Sequence, residues 1–176
     1  MLAYVNDREW AEYQVNISPE PYTREDIETL VDMFSHPEYW EKGHPDLPAA
    51  SNGAGLLRIF AVVLEAKVIG EIALNRREQD RLNERIEIAY TLSRAYWNRG
   101  FTTEAARAVM DWCFRHYPVH RLYAWCDPRN TGSWRVMEKL GMKREGLLRE
   151  HLLEDGEFRD QLYYGILRSE WDAGIK

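Results

Sequence analysis

The chain has 176 residues, 45% of them apolar and 30% charged, with a net charge of −6. That is enough apolar material for a single domain with its own core, which excludes the disordered and fibrous classes. Its dispersed basic residues offer no face for nucleic acid, and no apolar run is long enough to span a membrane.

In chain order, the first predicted elements are helices over 7–13 and 23–34. Thr23 caps the second, with Asp26 three residues on in a capping-box-like spacing. Residues 1–20 carry Asp7, Arg8, Glu9 and Glu12, so they do not read as a signal peptide, and a cytoplasmic location is expected. Residues 35–55 contain Pro37, Pro45, Pro48, Gly43, Gly53 and Gly55 and read as a long loop, a common place for substrate contacts. Gly53-Ala54-Gly55 precedes a strand and not a helix, so it reads as loop and not as a phosphate cradle.

Two strands, 57–64 and 67–74, form a predicted hairpin. A strand over 86–92, a helix from Thr103 to about residue 116 and a strand over 120–126 follow, then a helix over 131–140. A last hairpin, 147–153 with 158–167, turns at Asp155-Gly156. This is a mixed α/β order in which antiparallel hairpins flank one βαβ crossover. In the helix from Thr103, the residues Ala105, Val109, Trp112 and Cys113 form one stripe, read as core packing.

The segment Asn98-Arg99-Gly100-Phe101-Thr102-Thr103-Glu104 joins a strand to a helix. A glycine turn at a helix N-terminus leaves backbone N–H groups without partners and suits a phosphate. The same residues also suit a plain turn, with Gly100 at positive φ and Thr102 or Thr103 as cap. Downstream, Asn130-Thr131-Gly132-Ser133-Trp134 opens a second helix, which stops at Gly141.

Cys113 and Cys126 fit neither a disulfide framework nor a zinc pattern and read as core thiols. His116 and His120 are four apart, but Pro118 should end the helix between them, so no metal site is expected.

With both segments on the page, the chain resembles the GNAT acyl-CoA N-acetyltransferases, in particular their RimJ/RimL-like branch. The resembling stretches are 60–74, 86–109, 130–142 and 145–167. The resemblance implies a GNAT fold, a mixed and mostly antiparallel twisted sheet flanked by helices. It implies acetyl-CoA as co-substrate, with no metal, and direct acetyl transfer to an amine. The amine implied is a protein N-terminal α-amine. The same branch also acetylates small amines and antibiotics, and a non-catalytic acyl-CoA-binding domain is the alternative class. The acidic charge suits a cationic acceptor.

The family pattern Gln/Arg-x-x-Gly-x-Gly/Ala is met only in part. Trp97 stands at the Gln/Arg position and Thr102 at the second small one, while Gly100 is retained. The backbone amides of Arg99, Gly100, Phe101, Thr102 and Thr103 are thereby the expected pyrophosphate cradle. The resemblance places the pantetheine beside the strand ending at Tyr90-Thr91-Leu92, with main-chain pairing at Tyr90 and Leu92. Asn130 matches the residue that contacts the cofactor arm, and capping its own helix is its simpler role. Ser133 matches the group that protonates the leaving thiolate; the alternative is a first-turn serine bonded to its own backbone.

Glu87 is the best general-base candidate, because a carboxylate mid-strand is costly unless paired or functional. A salt bridge to Arg85, Arg58 or another basic residue is the competing reading. Tyr163, Tyr164 and His151 are weaker alternatives. Of the tryptophans, only Trp40 and Trp97 are placed near ligand surfaces.

Family members usually begin with an edge strand and a first helix, and here residues 4–10 read as the end of that helix. The first strand then appears missing, the strand 57–64 would carry an open edge, and a homodimer is expected through that edge or the N-terminal region.

Overall fold

The computed structural model describes residues 23–25, 54–77, 80, 83–154 and 156–174. The helix expected over 7–13, nearly all of that over 23–34 and the loop 35–53 lie outside the described residues.

Among the described residues, six strands form one sheet: β1 (Ala54–Leu64), β2 (Lys67–Arg77), β3 (Arg85–Leu92), β4 (Arg121–Cys126), β5 (Lys143–Glu154) and β6 (Glu157–Leu167). Their order is β1-β2-β3-β4-β6-β5, and β1 is the last strand on its side among the described residues. Between β3 and β4 come a 3-10 turn (Arg94–Tyr96) and helix α1 (Phe101–His116). Helix α2 (Thr131–Lys139) joins β4 to β5, and a short α3 (Arg168–Asp172) follows β6.

The expected α/β order and both hairpins are present. The first strand begins earlier than expected, so Ala54 and Gly55 are strand and not loop. Its turn residues Glu65 and Ala66 have φ 48° and 62°, the primed geometry that follows strand twist in a two-residue hairpin. Gly156, at φ 78°, supplies the left-handed residue of the second hairpin. At Gly70 a Cβ would collide with the Thr91 carbonyl oxygen, so only glycine lets β2 approach β3 there.

Alternation along the strands divides the sheet into two faces. Ile72, Leu74, Ile86, Ile88, Leu122, Ala124, Leu162, Tyr164 and Ile166 line one face and form the core with both helices. The stripe of α1 is Ala106, Val109, Met110, Cys113 and Phe114. It is rotated by one residue from the expected stripe, and Ala105 and Trp112 sit at its margin. Helix α2 contributes Met137, and its C-cap Leu140 is buried beside it. It ends in paired bonds from Gly141 N to Glu138 O (2.9 Å) and from Met142 N to Met137 O (3.0 Å), with Gly141 at φ 82°. These satisfy carbonyls that a helix terminus otherwise leaves open.

The end of α1 is held by Arg168, which donates to Val119 O (2.7 Å), Phe114 O (2.8 Å) and Tyr117 O (2.8 Å). A guanidinium there satisfies terminal carbonyls and complements the helix dipole.

Candidate functional site

The site grows from one defect in the sheet. Strands β3 and β4 pair in parallel only at Arg85–Arg121, Ile86–Leu122 and Glu87–Tyr123. Beyond Glu87, β3 runs to Leu92 and β4 to Cys126 without further pairing between them. Their carboxyl ends therefore splay apart. A gap at the carboxyl ends of parallel strands is where open α/β sheets hold ligands.

The main-chain groups facing this gap follow from strand alternation. Ser93 N–H donates to Ile69 O on β2 (2.8 Å), so Ser93 and Thr91 direct their polar groups to β2. Leu92 and Tyr90 direct theirs to the β4 side. Leu92 C=O is taken by the Trp97 indole N–H at 2.7 Å. Trp97 thus ties down the end of β3, a role not visible in its place in the motif. The N–H and C=O of Tyr90 remain directed at the gap.

Above the gap, Asn98 (φ 58°) and Gly100 (φ 85°) are both left-handed. Gly100 is the N-cap of α1, and no side chain caps the helix there. This corrects the expected start at Thr103 with a threonine cap: the helix begins at Phe101. The amides of Phe101, Thr102 and Thr103 belong to the first turn, which has no intrahelical acceptors for them. A Cβ at Gly100 would meet nothing within 4 Å, so the space before this terminus is open. The Arg99 guanidinium lies 4.9 Å from the Phe101 ring centroid. A groove continues along α1 past Thr103, Glu104 and Arg107 to Asp111, bordered by Lys139.

The N-terminus of α2 closes the opposite wall. The side chain of Asn130 accepts from Ser133 N at 3.0 Å, so it caps this helix as its simpler role requires. The Tyr90 hydroxyl crosses the gap to Ser133, lying 2.9 Å from its carbonyl oxygen and 3.2 Å from Oγ. Burial pushes the Tyr90 phenol well above its ordinary value, so it remains protonated. Burial also pushes the Cys126 thiol up to about 11, against a hydrogen bond from Ser133 that acts the other way. Tyr90, Cys126 and Ser133 thus meet on the helix-covered face at the mouth of the gap.

Glu87 lies on the other face and is only 7% exposed. Its strand neighbours are Asn75 on β2 and Tyr123 on β4, the last residue of the parallel pairing. Beside it, Tyr123 Oη donates to Asp80 Oδ2 (2.8 Å) and Arg85 pairs with Asp80 Oδ1 (2.7 Å). The structure therefore gives Arg85 a partner other than the glutamate it was weighed against. Arg58 points elsewhere, to the Tyr117 hydroxyl (3.4 Å). The structure also separates the weaker candidates. Tyr164 faces α2 and reaches Glu138 Oε1 at 3.4 Å, while Tyr163 lies on the Glu87 face with its ring against His151. Asp80 was not singled out from sequence; an aspartate beyond a strand end carries no periodic signal.

A family model described as an acetyltransferase (GNAT) domain matches residues 1–143. The chain belongs to the GNAT acetyltransferase family. YnaD of Bacillus subtilis (strain 168), an uncharacterised N-acetyltransferase, is 40% identical over 86 residues, covering 49% of this chain and 51% of that one. The [ribosomal protein uS5]-alanine N-acetyltransferase of Escherichia coli (strain K12) is 28% identical over 87 residues, 49% of this chain and 45% of that one. Across the first curated relatives the match covers only about half to two thirds of their length. The crystal structure of a GNAT-family acetyltransferase from Bacillus anthracis superposes with a TM-score of 0.71 at 29% identity, covering 95% of this chain and 86% of that one. The GNAT fold implied by the resemblance is thus the fold observed. No helix among the described residues is long and apolar enough to cross a membrane.

Proposed function

We propose that this GNAT domain transfers acetyl from acetyl-CoA directly to an amine, in the first instance a protein N-terminal α-amine. The observation that carries the reading is the splay of β3 and β4, opened directly beneath the uncapped N-terminus of α1. One extended molecule with a charged end fits both features. The pyrophosphate would take the amides of Arg99, Gly100, Phe101, Thr102 and Thr103, where helix partial charge favours an anion. The groove from Gly100 past Arg107 and Lys139 offers room and cations to the nucleotide end. The pantetheine would lie in the gap as a missing strand, pairing with the main chain of Tyr90 and with the remaining N–H of Leu92. Asn130 holds the start of α2 against that arm.

Attack by an amine on the thioester needs a neutral amine, a stabilised oxyanion and an acid for the departing thiolate. Glu87, on the face away from the helices, accepts the amine proton directly or through water. A strand N–H facing the gap stabilises the oxyanion. The Ser133 hydroxyl, on the opposite face, supplies the proton to sulfur. Acid and base then act from opposite sides of the sheet, as a direct transfer with separate donor and acceptor approaches requires. The uS5-alanine N-acetyltransferase of Escherichia coli supports the N-terminal amine as acceptor.

The experiment is release of CoA thiol from acetyl-CoA, measured against peptides with free N-terminal amines and against small amines. Acetyl transfer to a peptide amine is the expected result. CoA binding with no transfer to any amine would replace this reading with that of an acyl-CoA-binding domain.

A further inference from the structure

The face of the sheet away from the helices holds further polar groups beside Glu87. Thr91 Oγ1 on β3 and Trp125 Nε1 on β4 are both shut off from solvent, and neither has a hydrogen-bond partner among the described residues. Leaving such a group unpaired costs on the order of 1–3 kcal/mol, so two of them on opposite banks of one gap call for an explanation. Both belong to the Glu87 face by strand alternation, because Thr91 is four residues beyond Glu87 and Trp125 two beyond Tyr123. Glu71, opposite Thr91 on β2, is on the same face, and no ion pair or hydrogen bond engages it among the described residues. Tyr163 continues the row beyond Trp125 on β6.

The row changes character along the gap. At the level of Glu87 the face is closed: Glu87 and Tyr123 are buried. Two to four residues further, Ala89, Thr91, Trp125 and Glu71 are all half-buried. Ala89, the smallest side chain of the row, sits between Glu87 and Thr91. The row therefore runs from a closed end at Glu87 to a half-buried end, about 13 Å along the strand, that holds a carboxylate, a hydroxyl and an indole N–H.

We propose that this half-buried end of the row is the acceptor's recognition site, in which the Trp125 indole N–H donates to an amide carbonyl of the acceptor, Thr91 Oγ1 joins the same network, and Glu71 holds its ammonium group on approach. The proposal rests on the reading of Glu87 as the group that receives the amine proton. The matching chemical class is a peptide with a free N-terminal amine, because it carries an ammonium and a carbonyl acceptor a few ångströms apart. A plain alkylamine presents only the first. Burial raises the Glu71 carboxyl above its ordinary value, and an incoming cation offsets that burial. The approach lies on the face opposite Ser133, so acceptor and thiolate acid do not compete for space.

The test uses the full chain loaded with CoA and labelled with 15N at the indole nitrogens, the Trp125 signal being assigned with Trp125→Phe. A tetrapeptide with a free N-terminal amine should shift that signal, and n-butylamine should not. In acetyl-transfer assays Trp125→Phe should raise KM for the tetrapeptide about fivefold, and Glu71→Gln should raise KM for both amines about tenfold, with acetyl-CoA affinity unchanged. A Trp125 signal that does not move with the tetrapeptide overturns the proposal, whether or not the peptide is acetylated. So do unchanged KM values in both variants. A signal that moves without any acetyl transfer supports the recognition site and overturns the catalytic reading instead, so the two failures are distinguishable.

Discussion

The Tyr90 hydroxyl spans the gap between β3 and α2 to lie 2.9 Å from the carbonyl oxygen of Ser133 and 3.2 Å from its Oγ. Its single proton is given to the carbonyl, which leaves the Ser133 hydroxyl proton to Tyr90 Oη or to the Cys126 thiol. The serine proposed to protonate the thiolate is thereby held in one place by a residue 43 positions earlier in the chain. Tyr90→Phe should lower kcat about fivefold while leaving acetyl-CoA affinity nearly unchanged. The double variant with Ser133→Ala should lose less than the two single losses combined. Fully additive losses would show that Tyr90 acts independently of Ser133.

Ser133→Ala and Glu87→Gln should each lower turnover on the true acceptor on the order of 10²-fold, with little change in cofactor binding. Near-full turnover in both would remove these assignments. Tyr163, which shares the face of Glu87, would then be the next residue to replace.

Gly100→Val places a branched side chain on a residue at φ 85°, in the open space before the amides of α1. Since a Cβ there meets nothing within 4 Å, the fold should tolerate the change apart from backbone strain. Acetyl-CoA affinity should fall more than about tenfold, or ~1.4 kcal/mol. Calorimetric titration of the folded variant decides this, and unchanged affinity would rule out the cradle.

Arg168 satisfies three carbonyls at the end of α1. Arg168→Met keeps most of the aliphatic stem but leaves those carbonyls without a charged donor. The expected loss is about 2 kcal/mol in urea unfolding. A loss below about 0.5 kcal/mol would mean that water replaces the guanidinium fully.

The two thiols give a prediction about pH. Burial pushes Cys113 up to about 12 and Cys126 up to about 11, from an ordinary value of 9.0. Neither should react with a disulfide reagent near pH 8 in the native state, whereas both should react once the chain is unfolded in urea. Above pH 9 the unfolded chain releases these protons and the native state does not. Native stability contributed by the neutral thiols is therefore complete below pH 9 and declines as pH rises from 9 towards 11. A flat unfolding free energy across that window would contradict the burial of both groups.

Where residues of one element decide an outcome, the sequence was readable. The glycine at position 100, the Asn130 cap and the hydrophobic alternation of β3 fix local geometry without help from distant parts of the chain. Strand alternation also puts Tyr90 and Glu87 on opposite faces of β3. What could not be read depends on side chains meeting across elements. Nothing in the order of residues shows that Tyr90 would reach Ser133, that Trp97 would cap the carbonyl of Leu92, or that Asp80 would join Arg85 and Tyr123. Trp125 is not among the tryptophans the sequence places near ligand surfaces, because in sequence an indole with a satisfied N–H is indistinguishable from one without. The short turn at 94–96 and helix α3 are too brief to carry a period. The stripe of α1 was misread by one residue because Ala105 and Ala106 are adjacent and equally small.

The parallel seam between β3 and β4 is three residue pairs long, whereas β2 and β3 share six. The sheet is therefore two zipped panels joined by a narrow hinge line, and the cheapest rupture of the framework runs along that line. A molecule laid between the panels would act as a splint as well as a reactant. Saturation at 100 times its dissociation constant adds about 2.7 kcal/mol to the folded state by mass action alone. Part of that gain should be localised, slowing amide exchange at Tyr90 and along 121–126 well before it slows exchange in the β1–β2 hairpin.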